Sequence, residues 1–255
     1  MKPTNPIILA LDYSELSEAR QVLSKVRPHI GMIKIGLELF AAYGREAIDL
    51  ADEFNTQVFL DLKLHDVPTT VKKTIDVICS ILSKYPGEHF LSIHSFGGRE
   101  MCEAAFKTAQ GSNVQVAAVT TLTSMDDRDF RGLGFRDGRS GIRTIDAAYV
   151  AADCSNERSI YDAQRNRVLS GMSHFICAPN QLPLMRQHFG DDVVIIAPGI
   201  RSDSEEAHDH ARSKPASFAL KNGATWIVVG RPITQAPDPA SSAIYFAEQV
   251  KKFYG

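Results

Sequence analysis

Residues 58–82 read VFLDLKLHDVPTTVKKTIDVICSIL, and this stretch decides the fold. Its first part, residues 58–63, is rich in apolar side chains and predicts a short buried strand. After the turn, apolar residues recur at Val71, Ile75 and Ile78, a spacing typical of an amphipathic helix packed on a sheet. A strand that leads directly into a helix is the building unit of an α/β protein with parallel strands.

The same unit recurs along the whole chain. Apolar runs predict eight strands, at residues 7–12, 32–36, 58–63, 90–95, 114–123, 175–179, 193–200 and 225–231. Helical patterns separate them, and strict alternation of strand and helix implies parallel pairing. Eight repeats in 255 residues favour a closed (β/α)8 TIM barrel over an open doubly wound sheet. The open sheet would also need a glycine-rich turn after its first strand, where this chain has DYSE. The sequence predicts one (β/α)8 domain over residues 1–255.

Composition limits the classes of partner. The chain is 44% hydrophobic and 23% charged, with a net charge of −2, so no broad basic field attracts nucleic acid or an anionic membrane. No run approaches the roughly 20 apolar residues of a membrane span, and the N-terminal residues lack the features of a signal peptide. The four cysteines are widely spaced, which favours reduced thiols over disulfides or a zinc site. These features predict a cytoplasmic protein that binds neither membranes nor nucleic acids.

One connection is unusually long. Residues 125–171 join the fifth predicted strand to the sixth, and the part at 126–143 interleaves five arginines with glycines. Loops of this length are usually functional lids or disordered segments. Two interpretations stay open, a solvated surface insertion and a mobile lid whose arginine reaches a bound ligand.

Charged residues cluster where the predicted strands end, which is where active sites of this fold lie. Asp12 ends the first strand, Lys34 lies inside the second, and Asp61 and Lys63 end the third. Residues two apart on a strand share a face, so Asp61 and Lys63 point the same way. A lone buried charge is costly, and alternating carboxylates and ammoniums offset that cost. The pattern indicates an Asp–Lys–Asp–Lys array, with a structural ion-pair network as the alternative. Asp66 belongs to the same end and could instead cap the next helix.

A second group predicts an anion site. Arg201 follows the seventh strand, and Gly230 and Arg231 end the eighth. This fold tends to hold phosphate in the loops after these two strands. Gly230 lets the backbone approach a ligand closely, and Arg231 offers a bidentate fork. The alternative is a surface arginine after an ordinary turn.

Six short motifs occur together in a fixed order. They are ALD at 10–12, KIG at 34–36, DLKLHDVPTT at 61–70, LTS at 122–124, PGIR at 198–201 and VGRPIT at 229–234. The third resembles the D-x-K-x-x-D-[IV]-P-x-T signature of bacterial orotidine 5′-phosphate decarboxylases, and the others match that family in its order. The resemblance covers nearly the whole chain.

The resemblance implies conversion of orotidine 5′-monophosphate to UMP and carbon dioxide in pyrimidine biosynthesis, without metal or organic cofactor. Lys63 would protonate C6 of the pyrimidine, and Asp61 would lie against the substrate carboxylate. Lys34 and Asp12 would bind the ribose hydroxyls and hold the array in register. Asp66 would act from the other subunit of a homodimer with shared active sites. Further substrate contacts would come from Val67, Pro68, Thr69, Thr70, Thr123, Ser124, Arg201, His210, Gly230 and Arg231.

The chain departs from the family at His210, where relatives carry a glutamine that helps to hold the phosphate. A histidine gains a donor and a charge on protonation, so we expect the affinity for phosphate to depend on pH between roughly 5 and 7. An unchanged pH profile of KM in His210→Gln would contradict this expectation.

Two rival functions remain. The sugar-phosphate branch of the same superfamily shares D-x-K-x-x-D but binds magnesium and has an acidic residue at the position of Lys34, whose ammonium would repel the ion. A non-catalytic nucleotide sensor on a retained barrel is the other rival. Such a binder would need only the phosphate and base contacts, whereas this chain keeps both lysines and all three aspartates of the array.

Overall fold

The computed structural model describes residues 3–135, 139–154, 159–162, 167–202 and 213–254. Its strands, in chain order, are β1 (Ile7–Leu11), β2 (Met32–Gly36), β3 (Gln57–Leu64), β4 (His89–His94), β5 (Val114–Val119), β6 (Ser159–Asp162), β7 (Arg167–Ser170), β8 (His174–Ile176), β9 (Val194–Ala197), β10 (Ile200–Arg201), β11 (Lys214–Pro215) and β12 (Trp226–Val229). Eight of them close into a barrel in the order β1-β12-β9-β8-β5-β4-β3-β2. Every neighbouring pair in the barrel is parallel. The predicted (β/α)8 barrel is confirmed.

Helices connect the barrel strands. In chain order they are α1 (Leu16–Val26), α2 (Leu37–Tyr43), α3 (Arg45–Glu53), α4 (Pro68–Leu82), α5 (Arg99–Ala109), α6 (Asp127–Gly132), α7 (Ser140–Ala152), α8 (Leu182–Phe189), α9 (Ala216–Lys221), α10 (Arg231–Thr234) and α11 (Pro239–Tyr254). The helical pattern that follows β3 in the sequence is α4, which buries Val71, Ile75 and Ile78. Within the described ranges no helix is both long and apolar enough to cross a membrane.

Several barrel strands end earlier than the sequence predicts. The fifth ends at Val119, the seventh at Ala197 and the eighth at Val229, where the predicted ends were residues 123, 200 and 231. Pro198 directly follows the seventh strand and cannot donate a ladder hydrogen bond. Arg231 begins the short helix α10 and does not extend the strand. The shorter strands lengthen the loops at this end of the barrel, and these loops form the rim of the candidate site.

Alternation along the strands divides the core in two. Outward-facing residues such as Ile33 and Leu60 pack beneath the helices. Inward-facing residues fill the barrel, where the ring of Phe90 lies 6.1 Å from that of Phe59 and 5.6 Å from that of Trp226, both edge-on. Such edge-to-face contacts are the preferred geometry of aromatic pairs. These rings close the interior below the charged end of the barrel.

The arginine- and glycine-rich segment at 126–143 is anchored to the barrel. Phe130 on α6 is fully buried, and its ring lies 6.0 Å from that of Phe135. Phe135 lies 6.3 Å from Phe96 in the loop after β4, and the Arg143 guanidinium stacks over the Phe135 ring at 5.1 Å. Phe130 and Phe135 thus anchor this segment to the barrel, while most of its described residues, among them the 64% exposed Leu133, lie at the surface.

The rest of the long connection contains a barrel helix. Within 125–171, α7 buries four alanines and contacts both α5 and α8, so it takes the place of the helix after β5. The antiparallel pair of β6 and β7 follows it. Part of what looks like one long loop in the sequence is therefore a packed barrel helix.

Candidate active site

The register of the first three strands brings the charged residues together. Ala10 of β1 pairs with Lys34 of β2, which pairs with Phe59 of β3. Ala10 and Phe59 face the barrel interior, so Lys34 between them also faces inward. Asp12, directly after β1, and Asp61, on β3, lie two residues beyond Ala10 and Phe59 and therefore closer to the mouth of the barrel. The alternation of side chains along the strands thus brings three charged residues together at the C-terminal end of the barrel.

The four predicted charges form a continuous array. Lys34 Nζ lies 3.0 Å from Asp12 Oδ1 and 3.6 Å from Asp61 Oδ2, and Lys63 Nζ lies 2.8 Å from the same Asp61 oxygen. The side chains of Lys34 and Asp61 are 11% and 12% exposed, while that of Lys63 is 32% exposed. The predicted Asp–Lys–Asp–Lys arrangement is therefore present, with its outer lysine accessible to solvent or ligand.

The environment of Asp61 keeps its carboxylate ionised. Burial by itself raises the pKa of this group, but the positive charges of Lys34 and Lys63 oppose it, as do hydrogen bonds from Lys63 and Ser92. The net effect is a pKa below the ordinary value of 3.8. Asp61 is thus a negative charge fixed next to two ammonium groups.

Two adjoining cavities open beside this array. The first, of about 300 Å³, is lined by Asp12, Lys34, Asp61, Thr123, Ser124, Gly199, Arg201, Ser213, Gly230 and Arg231, among others. The second, of about 170 Å³, shares Lys34, Asp61, Thr123, Ser124 and Val228 with it and adds Lys63 and the apolar side chains of Phe59, Val119 and Ile176. One cavity therefore has a cationic rim and the other an apolar lining, with the charge array between them.

The remaining predicted residues lie either outside the lining of the two cavities or outside the described residues. Asp66 is exposed, and Asp66 with residues 67–70 lies outside the lining of both cavities in this single chain. The helix that follows has Val67 at its N-cap and Pro68 at its first position, and the Asp66 carboxylate accepts only the N–H of Val67 at 2.7 Å. The alternative in which Asp66 caps this helix is therefore wrong, because Val67 is the N-cap and no side chain caps the helix. His210 lies outside the described residues.

The arginines of segment 126–143 contribute no lining to either cavity, as far as the described residues of that segment go. Among the described residues, no group of three or more His, Cys, Asp or Glu side chains is arranged to hold a metal ion.

Ser92, which the sequence analysis did not single out, contacts the array. Its hydroxyl donates to Asp61 Oδ1 at 2.9 Å and accepts from the backbone N–H of Lys63 at 2.8 Å. A serine within an apolar strand carries no sequence signal of such a contact. Predicting this contact would have required knowing which residue of β4 lies opposite Asp61.

His94, also on β4, lies near Lys63. Its ring stacks between those of His65, at 5.5 Å, and Phe96, at 5.3 Å. Burial, followed by the neighbouring charges of His65 and Lys63, lowers the pKa of His94 to about 4. His94 is therefore neutral near pH 7 and adds no charge to the array.

Comparison with known proteins gives a consistent result. Residues 5–244 match the model of the orotidine 5′-phosphate decarboxylase / HUMPS family. The chain is 34% identical over 239 residues to an orotidine 5′-phosphate decarboxylase of Wolbachia pipientis, covering 94% of this chain and 96% of that one. It is 35% identical over 243 residues to an orotidine 5′-phosphate decarboxylase of Anaeromyxobacter dehalogenans, covering 95% and 97%.

Solved structures agree in fold. The crystal structure of orotidine 5′-phosphate decarboxylase from Lactobacillus acidophilus is 28% identical, with a TM-score of 0.73 and coverage of 96% of this chain and 98% of that one. The family model spans most of the sequence, and relatives above 30% identity align over nearly their full length. The chain belongs to the orotidine 5′-phosphate decarboxylase / HUMPS family.

Proposed function

We propose that this protein decarboxylates orotidine 5′-monophosphate to UMP. The observation that carries the proposal is the Asp12–Lys34–Asp61–Lys63 array at the junction of an apolar cavity and an arginine-lined one. The relatives named orotidine 5′-phosphate decarboxylase support it independently. A pyrimidine nucleotide matches this arrangement, because it has a flat ring for the apolar cavity, ribose hydroxyls for the charge array and a dianionic phosphate for the arginine-lined cavity.

The proposed substrate lies across both cavities. The pyrimidine occupies the apolar cavity, with Thr123 and Ser124 at its polar edge. The ribose hydroxyls meet Asp12 and Lys34, and the phosphate binds between Arg201 and Arg231, where guanidinium groups can donate two parallel hydrogen bonds. Gripping the phosphate far from the reacting carbon supplies binding energy that can be used at C6.

Lys63 and Asp61 carry the chemistry in this proposal. The bond between C6 and the substrate carboxylate breaks, carbon dioxide leaves, and the electron pair remains on C6. The Lys63 ammonium stabilises that developing charge and donates its proton to C6, and water then reprotonates the amine. Asp61 keeps its negative charge beside the substrate carboxylate. The repulsion between these two charges is relieved when the substrate carboxylate leaves as neutral carbon dioxide. Catalysis of such a reaction requires that the activation free energy be lowered by roughly 20 kcal/mol.

We further propose a homodimer in which Asp66 completes the site of the other subunit. Asp66 and the 60% exposed Val67 lie on the surface after β3, beside the array but outside the cavities of their own chain. Mixing inactive Lys63→Ala with inactive Asp66→Asn protein tests this directly, because a mixed dimer rebuilds one intact site. Recovery of activity on mixing supports sharing, and a monomer in sedimentation experiments contradicts it. The cytoplasm is the compartment we propose, since the reduced thiols expected from the sequence suit it.

The magnesium-dependent branch of the family is the alternative. In this chain the Lys34 ammonium already lies between the carboxylates of Asp12 and Asp61, within 3.0 Å and 3.6 Å of their oxygens. A divalent cation placed between the same carboxylates would be repelled by it. This observation favours the decarboxylase over the metal-dependent sugar-phosphate enzymes.

Ultraviolet spectroscopy provides the test. Orotidine 5′-monophosphate is mixed with the purified protein in excess EDTA, beside Lys63→Ala and, as a matched control, Lys107→Ala on the exposed face of α5. Rapid loss of the substrate absorbance in wild type and Lys107→Ala, abolished in Lys63→Ala, is the expected result. Nucleotide binding without turnover in the wild type would indicate a sensor. Turnover of a sugar phosphate that requires magnesium would indicate the other branch.

A further inference from the structure

The pairing of β3 with β4 is irregular beside the charge array. Phe59 pairs with Phe90 and Leu60 with Leu91, and the pairing resumes only at Leu64 with Ile93. Between these points β3 has the three residues 61–63, where β4 has Ser92 alone. Two extra residues in one strand form a bulge, a feature that re-aims side chains and is common near active sites. The bulge contains Asp61 and Lys63.

Lys63 has an unusual backbone conformation within this bulge. Its φ is +50°, in the left-handed region that residues with a Cβ rarely adopt. Such a conformation persists only where the surrounding contacts hold it. The backbone N–H of Lys63 donates to Ser92 Oγ at 2.8 Å.

The same hydroxyl orients the Asp61 carboxylate. Ser92 Oγ donates to Oδ1 at 2.9 Å, which leaves Oδ2 directed at Lys63 Nζ, 2.8 Å away, and at Lys34 Nζ, 3.6 Å away. Ser92 is completely buried, so water cannot replace its hydroxyl in either bond. It lies outside the lining of both cavities and therefore acts on a ligand only through its neighbours.

We propose that Ser92 is a positioning residue for the decarboxylation, because its one hydroxyl fixes both the Asp61 carboxylate and the backbone that carries Lys63. This inference rests on the proposed function. The competing explanation is that the hydroxyl only provides hydrogen bonds to buried polar groups of β3 and so contributes to stability alone. The two differ in what they predict for the ionisation of Asp61 and for kcat at a temperature where the protein is folded.

Three variants separate these explanations. Ser92→Ala removes both hydrogen bonds, and Ser92→Thr restores a hydroxyl on a side chain suited to a strand. Ser95→Ala is the matched control, since Ser95 is equally buried just beyond the end of β4 and its hydroxyl has no hydrogen-bond partner in the described residues. For each variant we would measure kcat, KM, the thermal midpoint, and the pKa of Asp61 from carboxyl carbon NMR.

Positioning predicts a specific pattern. In Ser92→Ala kcat should fall about 10- to 100-fold, the range expected for a hydrogen bond to a charged group, while KM changes less than about threefold. The pKa of Asp61 should rise, because a hydrogen bond to the charged form is lost. Ser92→Thr should recover most of kcat, and Ser95→Ala should match the wild type.

Other outcomes overturn the proposal. If kcat of folded Ser92→Ala stays within about threefold of wild type, or if the pKa of Asp61 is unchanged, Ser92 is only structural. If Ser92→Thr proves misfolded, the NMR titration of Ser92→Ala still decides. If the wild type does not decarboxylate orotidine 5′-monophosphate, the proposed function fails by itself. The Asp61 titration then reports separately whether Ser92 orients that carboxylate.

Discussion

The two ends of the barrel interior are built on the same strands but consist of opposite kinds of side chain. Towards the N-terminal ends, the inward-facing residues of β1, β2 and β4 are Ile8, Met32 and Phe90, and Phe59 lies above them as part of the lining of the apolar cavity. Towards the C-terminal ends, the same faces carry Asp12, Lys34, Asp61 and Ser92. Alternation decides which face a residue occupies, while its position along the strand decides whether it supports stability or chemistry.

The two ends should respond differently to mutation. The aromatic end is close-packed, so loss of a ring leaves a cavity and reduces the free energy of unfolding. The charged end is costly to bury and is stabilised by its internal pairing, so a displaced ammonium should alter activity more than stability. Three substitutions test this division, in decreasing order of expected effect.

Phe90→Ala should produce the largest effect, on stability. Phe90 is 1% exposed, and its ring packs between those of Phe59 and Trp226. Removing a buried aromatic ring costs about 3–5 kcal/mol, which lowers Tm by about 10 °C in a protein of this size. At 25 °C, where the variant stays folded, kcat and KM should remain within about twofold of wild type. Calorimetry and the decarboxylation assay measure the two quantities.

The control for this substitution is Phe253→Ala, at a 41% exposed phenylalanine of α11. It should shift Tm by no more than a degree or two, roughly. A large loss of kcat in folded Phe90→Ala would contradict the division, because it would show that the aromatic end also supports the charge array.

Gly36→Ala should produce the next largest effect, on activity. A Cβ at this position would lie 2.8 Å from Lys34 Nζ and 3.2 Å from Asp12 Oδ1, so the added methyl group must push the ammonium aside. The backbone of Gly36 has φ −90°, which alanine adopts without strain, and the effect is therefore steric. We expect kcat/KM to fall about 10- to 100-fold, as a misplaced charge in the site would predict, with Tm nearly unchanged.

Gly132→Ala is the matched control for the added methyl group. It lies in α6, and an added Cβ would meet nothing within 4 Å. Activity should be unchanged and stability slightly increased, because alanine is the better helix former. Full activity in Gly36→Ala would show that the spacing between Lys34 and Asp12 is not critical.

Much of this arrangement could be predicted from the sequence because it follows from period-two alternation. The pattern of apolar runs predicts the barrel, and alternation within strands predicts that Lys34 and Asp61 point inward. The same argument predicts that Asp61 and Lys63 share a face, and they do meet at 2.8 Å. The local cause is different, however, because a bulge with a left-handed Lys63 interrupts regular alternation there.

The rest depends on contacts between segments distant in sequence. The bulge exists only in relation to Ser92, which lies 31 residues from Asp61, so neither strand reveals it alone. The packing of Phe130 and Phe135 was also hidden, because abundant glycine and arginine suggested a solvated loop. The end of β12 was misplaced because Arg231 continues an apolar run, although Pro232 suits the first turn of a helix.

His94→Phe should produce the smallest effect, on the pH dependence of stability. Burial, then the charges of His65 and Lys63, lowers the pKa of His94 to about 4 from 6.5, so the unfolded chain takes up a proton that the folded protein does not. The stabilising contribution is complete above pH 6.5 and is lost progressively as the pH falls towards 4. Phenylalanine keeps the stack on Phe96 and removes this titration. Between pH 7.5 and pH 4.5 the wild type should therefore lose on the order of 2 kcal/mol more than the variant in urea unfolding. His89, whose pKa burial also lowers, titrates in both proteins and cancels in the difference. Equal losses would show that His94 is protonated in the folded state and that the mouth of the barrel tolerates one more positive charge beside Lys63.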